Sequence, residues 1–132
     1  MSISSGWDND EKTVLLSVYP RQWEWNEEYR SVAVINTLVE SVSHEVAVIN
    51  DLTETIQLPP AAFMHLRALL VNRHPRICCT VLVGMRPGVR EMWMAFEELY
   101  RPSLRYKTYM SACSVDEARS LLSRMVVPAK KG

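Results

Sequence analysis

The chain has 132 residues, 48% of them hydrophobic, with 15 Lys plus Arg against 15 Asp plus Glu. That length suits one buried core and not two, and the balanced charge supplies no long-range field to draw the chain to nucleic acid or to an acidic membrane surface. Of the three cysteines, Cys78 and Cys79 are adjacent, and no Cys-x-x-Cys or His-x-x-x-His spacing occurs, so neither a disulfide framework nor a metal site is expected.

The opening residues, MSISSGWDNDEK, lack the basic start and apolar block of a signal peptide, and no apolar run approaches the roughly 18 residues of a membrane span. The reading is a cytoplasmic chain without membrane insertion: a flexible segment over residues 1–12, one domain over 13–126 and a tail over 127–132. Thr13 to Tyr19, TVLLSVY, reads as a strand ended by Pro20, and Arg21 to Trp23 as a brief paired strand. EWNEEYRSVAVINTLVESVS places Trp25, Tyr29, Val32, Ile35, Val39 and Val42 on one helical face, and burial of that face must offset its β-branched content.

EVAVIND, Glu45 to Asp51, is nearly continuous in apolar residues, which implies a strand covered on both faces. Pro59 and Pro60 then fit the first turn of a helix that carries Phe63, Leu66, Leu69 and Leu70 and ends near Arg73. ICCTVLVG, Ile77 to Gly84, is a third strand, read as central. MRPGVREMWMAFEELY repeats Val89, Met92, Trp93, Phe96, Leu99 and Tyr100 at helical spacing and is closed by Pro102. Leu104 to Met110 reads as a last strand, and Ser114 with Glu117 as a capping box for VDEARSLLSRM. Strands alternating with helices give an α/β domain with a four- to five-stranded mixed, largely parallel sheet and about four helices.

Most reaction chemistries lack their residues. A phosphoaspartate receiver needs acidic groups at two strand ends to hold magnesium, and only Asp51 is so placed. The phosphate-binding and dinucleotide glycine patterns are absent. GMRPGVRE, Gly84 to Glu91, could hold an anion at a helix start, but reads better as a turn whose Arg86 and Arg90 face water or surface carboxylates. His44, His65 and His74 read as surface residues, which leaves no triad. Cys113 reads as an apolar structural residue, and Trp23, Trp25 and Trp93 as core. No enzymatic activity and no cofactor is expected.

VAVINDLTETIQLPPAAFMHLRALL, within this strand order, resembles the STAS domain, the fold shared by anti-sigma-factor antagonists and the cytoplasmic tails of sulfate transporters. The resemblance spans roughly Thr13 to Met125. The family's strand exit is matched by Asp51-Leu52-Thr53, but its phosphoacceptor turn, Asp-Ser-Ser-Gly, aligns with Pro59, Pro60, Ala61 and Ala62, none of which can carry a phosphate. The resemblance implies a regulatory protein-interaction module, its partner an anti-sigma factor or kinase-like protein, without the phosphorylation switch. The crevice at the strand carboxyl ends is the expected docking place, lined by Asp51, Leu52, Thr53, Thr55, Gln57, Pro59, Pro60, Gly84 and Arg86. The alternatives are a lipid- or nucleotide-sized small molecule held between helices and sheet, or a homodimer formed on an apolar helix face. Exposure around Phe63, Met64 and Val71 would favour a protein partner or dimer, and an enclosed cavity of several hundred cubic ångströms a ligand.

Overall fold

The computed structural model of the chain describes residues 2–104 and 108–125. Five strands, β1 (Ser4–Trp7), β2 (Val14–Val18), β3 (Val46–Asp51), β4 (Ile77–Val83) and β5 (Tyr109–Ala112), lie in one sheet in chain order. β1 is antiparallel to β2, and the remaining pairings are parallel. The helices are α1 (Trp25–Glu40), α2 (Ala62–Val71), α3 (Pro87–Leu99), the single turn α4 (Arg101–Leu104) and α5 (Val115–Met125). The domain is therefore α/β with a mixed, mostly parallel sheet. Among the described residues, no helix is long and apolar enough to cross a membrane.

Alternation along the strands divides the core into two layers. Leu15, Val46 and Val48 meet Ile35 and Val39 of α1 on one face, whereas Val14, Ala47, Ile49, Cys79, Val81 and Val83 meet Ala118 and Leu122 of α5 on the other. α2 and α3 share the α1 face: Leu66, Leu69 and Trp93 reach Leu52 and Leu82, and Phe63 meets Phe96 with ring centroids 5.8 Å apart. Burial on both faces is why β3 and β4 read as unbroken apolar runs.

The expected flexibility of residues 1–12 gives way to structure at Ser4–Trp7, which pairs with β2 from Ser4↔Val18 to Trp7↔Leu15. Ser5 Oγ lies 2.8 Å from both Ser17 Oγ and Ser31 Oγ, and Asp8 accepts from Arg119 of α5 at 2.7 and 2.9 Å. Backbone pairing to β2, the packing of Trp7 against the Leu15–Ile35–Val39 cluster and these side-chain hydrogen bonds together hold this strand.

Arg21–Trp23 is irregular, not a strand, because Trp23 turns inward to the core beside Tyr19 and Leu52. α1 stops at Glu40, where Ser41 caps it and donates its hydroxyl to Leu38 O at 2.6 Å. α2 begins at Ala62 rather than Pro59; its N-cap, Ala61, sits in the left-handed region at φ 62° and breaks helical continuity with the prolines. α3 ends at Leu99, before Pro102, which lies in the first turn of α4 instead of closing its predecessor. Leu104 is helical and buried, and the last strand is Tyr109–Ala112; residues 105–107 of the expected strand, and the tail over 127–132, lie outside the described residues. At α5, Ser114 Oγ accepts from Glu117 N at 3.1 Å, while Glu117 Oε1 accepts from Cys113 N at 2.6 Å, one residue earlier than a capping box uses.

Candidate functional site

The β3–α2 and β4–α3 loops form a crown at the carboxyl end of the sheet. Asp51 Oδ1 accepts from Thr53 N at 3.1 Å and from Thr53 Oγ1 at 2.6 Å, a local turn that uses the one carboxylate at this strand end. Arg86, exposed as expected, also donates its Nε to Thr53 O at 3.0 Å and so joins the two loops. Gly84, at φ +67°, lets the β4 exit pass so close that a Cβ there would lie 2.2 Å from Thr53 Oγ1.

Two tryptophans fix the rest of the loop. Trp23 Nε1 donates to Thr55 Oγ1 at 3.1 Å, and Thr55 Oγ1 donates to Pro20 O at 3.0 Å. Trp25 Nε1 donates to Pro60 O at 2.8 Å, and its indole stacks on His65 with centroids 4.9 Å apart and planes at 20°. His65, expected on an outer face, is thus packed between α1 and α2, with Nδ1 2.8 Å from Tyr29 Oη. Trp23 and Trp25 are buried as expected, and they act as struts with polar tips.

Of the sequence-predicted partner-binding residues, Thr53, Gln57, Pro60 and Arg86 are exposed and Asp51, Pro59 and Gly84 half-buried. Leu52 and Thr55 are corrected to interior positions: Leu52 joins the Tyr19–Trp23–Trp25 core and Thr55 is 0% exposed, because the loop turns back under the tryptophans. Gln57, Pro59 and Pro60 are brought together along an open groove of about 930 Å³ between the loop and the start of α1, with Arg21, Trp25 and His65 on its walls. Asp51, Thr53, Gly84 and Arg86 stand apart from that groove, on the neighbouring crown.

Polar residues that the sequence reading passed over lie under α1 and α2. Tyr19 Oη donates to Glu28 at 2.8 and 3.0 Å. Burial pushes the Glu28 carboxyl up to about 7, partly opposed by the Tyr19 hydrogen bond, and burial, then the Glu28 charge, pushes the Tyr19 phenol well above its ordinary value. Ser17 and Asn50, paired in register on β2 and β3, line the same interior chamber, of about 130 Å³. The signal for it was a polar residue in each apolar strand: Ser17, Asn50 and Thr80.

The remaining reactive groups stand separately. His74 is nearly buried and lies 2.5 Å from Glu40 Oε2, which ties the turn after α2 to the end of α1. Cys113 is exposed rather than packed, and Cys78 and Cys79 are free thiols. Among the described residues no group of three His, Cys, Asp or Glu side chains could hold a metal ion. Comparison with protein-family models finds no match, and comparison with the sequences of curated proteins finds none either.

Proposed function

We propose that the chain is a STAS-like, non-enzymatic protein-interaction module that receives a segment of an anti-sigma-factor or kinase-like partner in the groove beside Gln57, Pro59 and Pro60, without a phosphorylation switch. The observation that carries this reading is the groove itself: about 930 Å³, open, and walled by a loop held rigid through Trp23–Thr55 and Trp25–Pro60 hydrogen bonds. A preformed, open surface limits the ordering cost of binding a protein segment. The interior chamber, at about 130 Å³, falls short of the several hundred cubic ångströms that would favour a lipid or nucleotide as the main ligand.

The loop chemistry supports the absence of a switch. Pro59, Pro60, Ala61 and Ala62 offer no hydroxyl, Thr55 is inaccessible with its hydroxyl both donating and accepting, and the Thr53 hydroxyl is turned onto Asp51. A second reading, homodimerisation, is supported by Met64 and Val71, 64% and 65% exposed on one side of α2.

The test is calorimetric titration of the protein with a purified anti-sigma-factor kinase, followed by incubation with ATP and intact-mass spectrometry. The expected result is a complex without added phosphate, weakened at least about tenfold by Gln57→Ala with Pro60→Asp, equivalent to about 1.4 kcal/mol. Absence of a complex, or a phosphate on Thr53 or Thr55, overturns the reading. Sedimentation of the free protein, with and without Met64→Lys, reports on the dimer.

A further inference from the structure

The chamber between sheet and helices has polar groups that the fold leaves unused. Asn36 Oδ1 and Arg73 Nε are buried without a hydrogen-bond partner among the described residues, and both residues line the chamber. Such orphaned atoms are costly, on the order of 1–3 kcal/mol each, and call for an occupant. Arg76 Nε is also unpartnered but lies off the chamber.

The two groups share one end. Arg73 adjoins His74, whose ring meets Glu40, one turn beyond Asn36 on α1. The Arg73 guanidinium lies 4.6 Å over the Tyr109 ring, and among the described residues no carboxylate forms an ion pair with it. Glu28 lies eight positions before Asn36 on α1, about 12 Å along the axis, so the acidic residue stands away from this cationic end. Between them the walls are mostly apolar, Val48, Leu66, Leu82 and Trp93, interrupted by Ser17, Asn50 and Thr80 of the strands.

We propose that this chamber binds a short aliphatic monocarboxylate of about four carbons, its carboxylate accepting from Arg73 Nε and from the Asn36 amide turned to present its N–H. The size follows from volume: about 130 Å³ here, less than the apolar cavity of about 150 Å³ that admits benzene, so the whole ligand, carboxylate included, is no larger than benzene. The charge follows from an arginine at the wall that lacks an acidic partner. This site is separate from the groove and does not depend on the protein-interaction reading.

The test is NMR titration of the ¹⁵N-labelled full chain with butyrate and, in parallel, with neutral 1-butanol. Butyrate is expected to give saturable shifts at Asn36, Val48, Leu70 and Arg73 and to bind more tightly than the alcohol. Arg73→Gln and, separately, Asn36→Leu should each weaken butyrate at least about tenfold, while Arg73→Gln leaves the alcohol's affinity unchanged; the spectra show directly that each variant is folded. No saturable shift with butyrate, meaning water only in the chamber, overturns the proposal, as does unchanged butyrate affinity in folded Arg73→Gln.

Discussion

Trp25 Nε1 donates to the carbonyl oxygen of Pro60 at 2.8 Å, a bond that spans 35 positions and fastens the start of α1 to the turn before α2. Trp25→Phe keeps an aromatic ring beside His65 but removes the donor and part of a buried indole's volume. The expected cost is about 2–4 kcal/mol, one lost hydrogen bond plus the cavity left behind. Urea unfolding reads it, as a lower midpoint at unchanged slope.

Thr55 is the second anchor. Thr55→Val keeps the shape and deletes a hydroxyl that both accepts from Trp23 and donates to Pro20 O, stranding two groups in the core. It should cost about 2–4 kcal/mol, and Thr55→Ser no more than about 1.5. Equal losses in the two variants would show that packing, and not the hydroxyl, holds the loop.

At Gly84 two penalties separate. Gly84→Ala places a side chain at φ +67° and 2.2 Å from Thr53 Oγ1, for a combined loss of about 2–4 kcal/mol. Adding Thr53→Ala removes the oxygen and should recover part of the loss, while the backbone penalty stays. The four stabilities form a double-mutant cycle whose coupling energy is the check.

Glu28 predicts a pH dependence. Its folded carboxyl titrates near 7 rather than 4.5, so between those values the folded state holds a proton that the unfolded state has released. Stability therefore falls as pH rises from about 4.5 to about 7 and is level above. Glu28→Gln still accepts from Tyr19 and should flatten this slope, gaining about 1–3 kcal/mol at pH 8 and little at pH 4. A variant whose stability follows the wild-type curve at every pH would assign the slope to other groups.

The interior strands were legible in sequence because burial on both faces requires unbroken apolar runs, and Val46–Asp51 and Ile77–Val83 have them. β1 was not. Ser4-Ser5-Gly6-Trp7 has no alternation, and one of its fastenings, Asp8 to Arg119, joins residues 111 positions apart. The start of α2 was misplaced because proline suits a first helical turn, while what decides the boundary here is the turn at Ala61, next to the Pro60 carbonyl that a distant indole holds.

The candidate site was legible in part. Gln57, Pro59 and Pro60 do line one groove, since loop residues at strand ends face outward. Leu52 and Thr55 are hidden because Trp23 draws the same loop inward, a long-range pairing that no local pattern encodes. The Tyr19–Glu28 contact is similarly silent: a glutamate on the flank of a helix reads as solvated until the tyrosine that follows β2 is seen beneath it.

β1 is four residues long and runs against the others. Without it, the amide ladder of β2 would stand open beside Val14 and Leu15, an adhesive margin able to recruit a second molecule's ribbon. A short, serine-bearing guard on that margin discourages stacking into fibres, so trimming the first seven residues should lower colloidal stability.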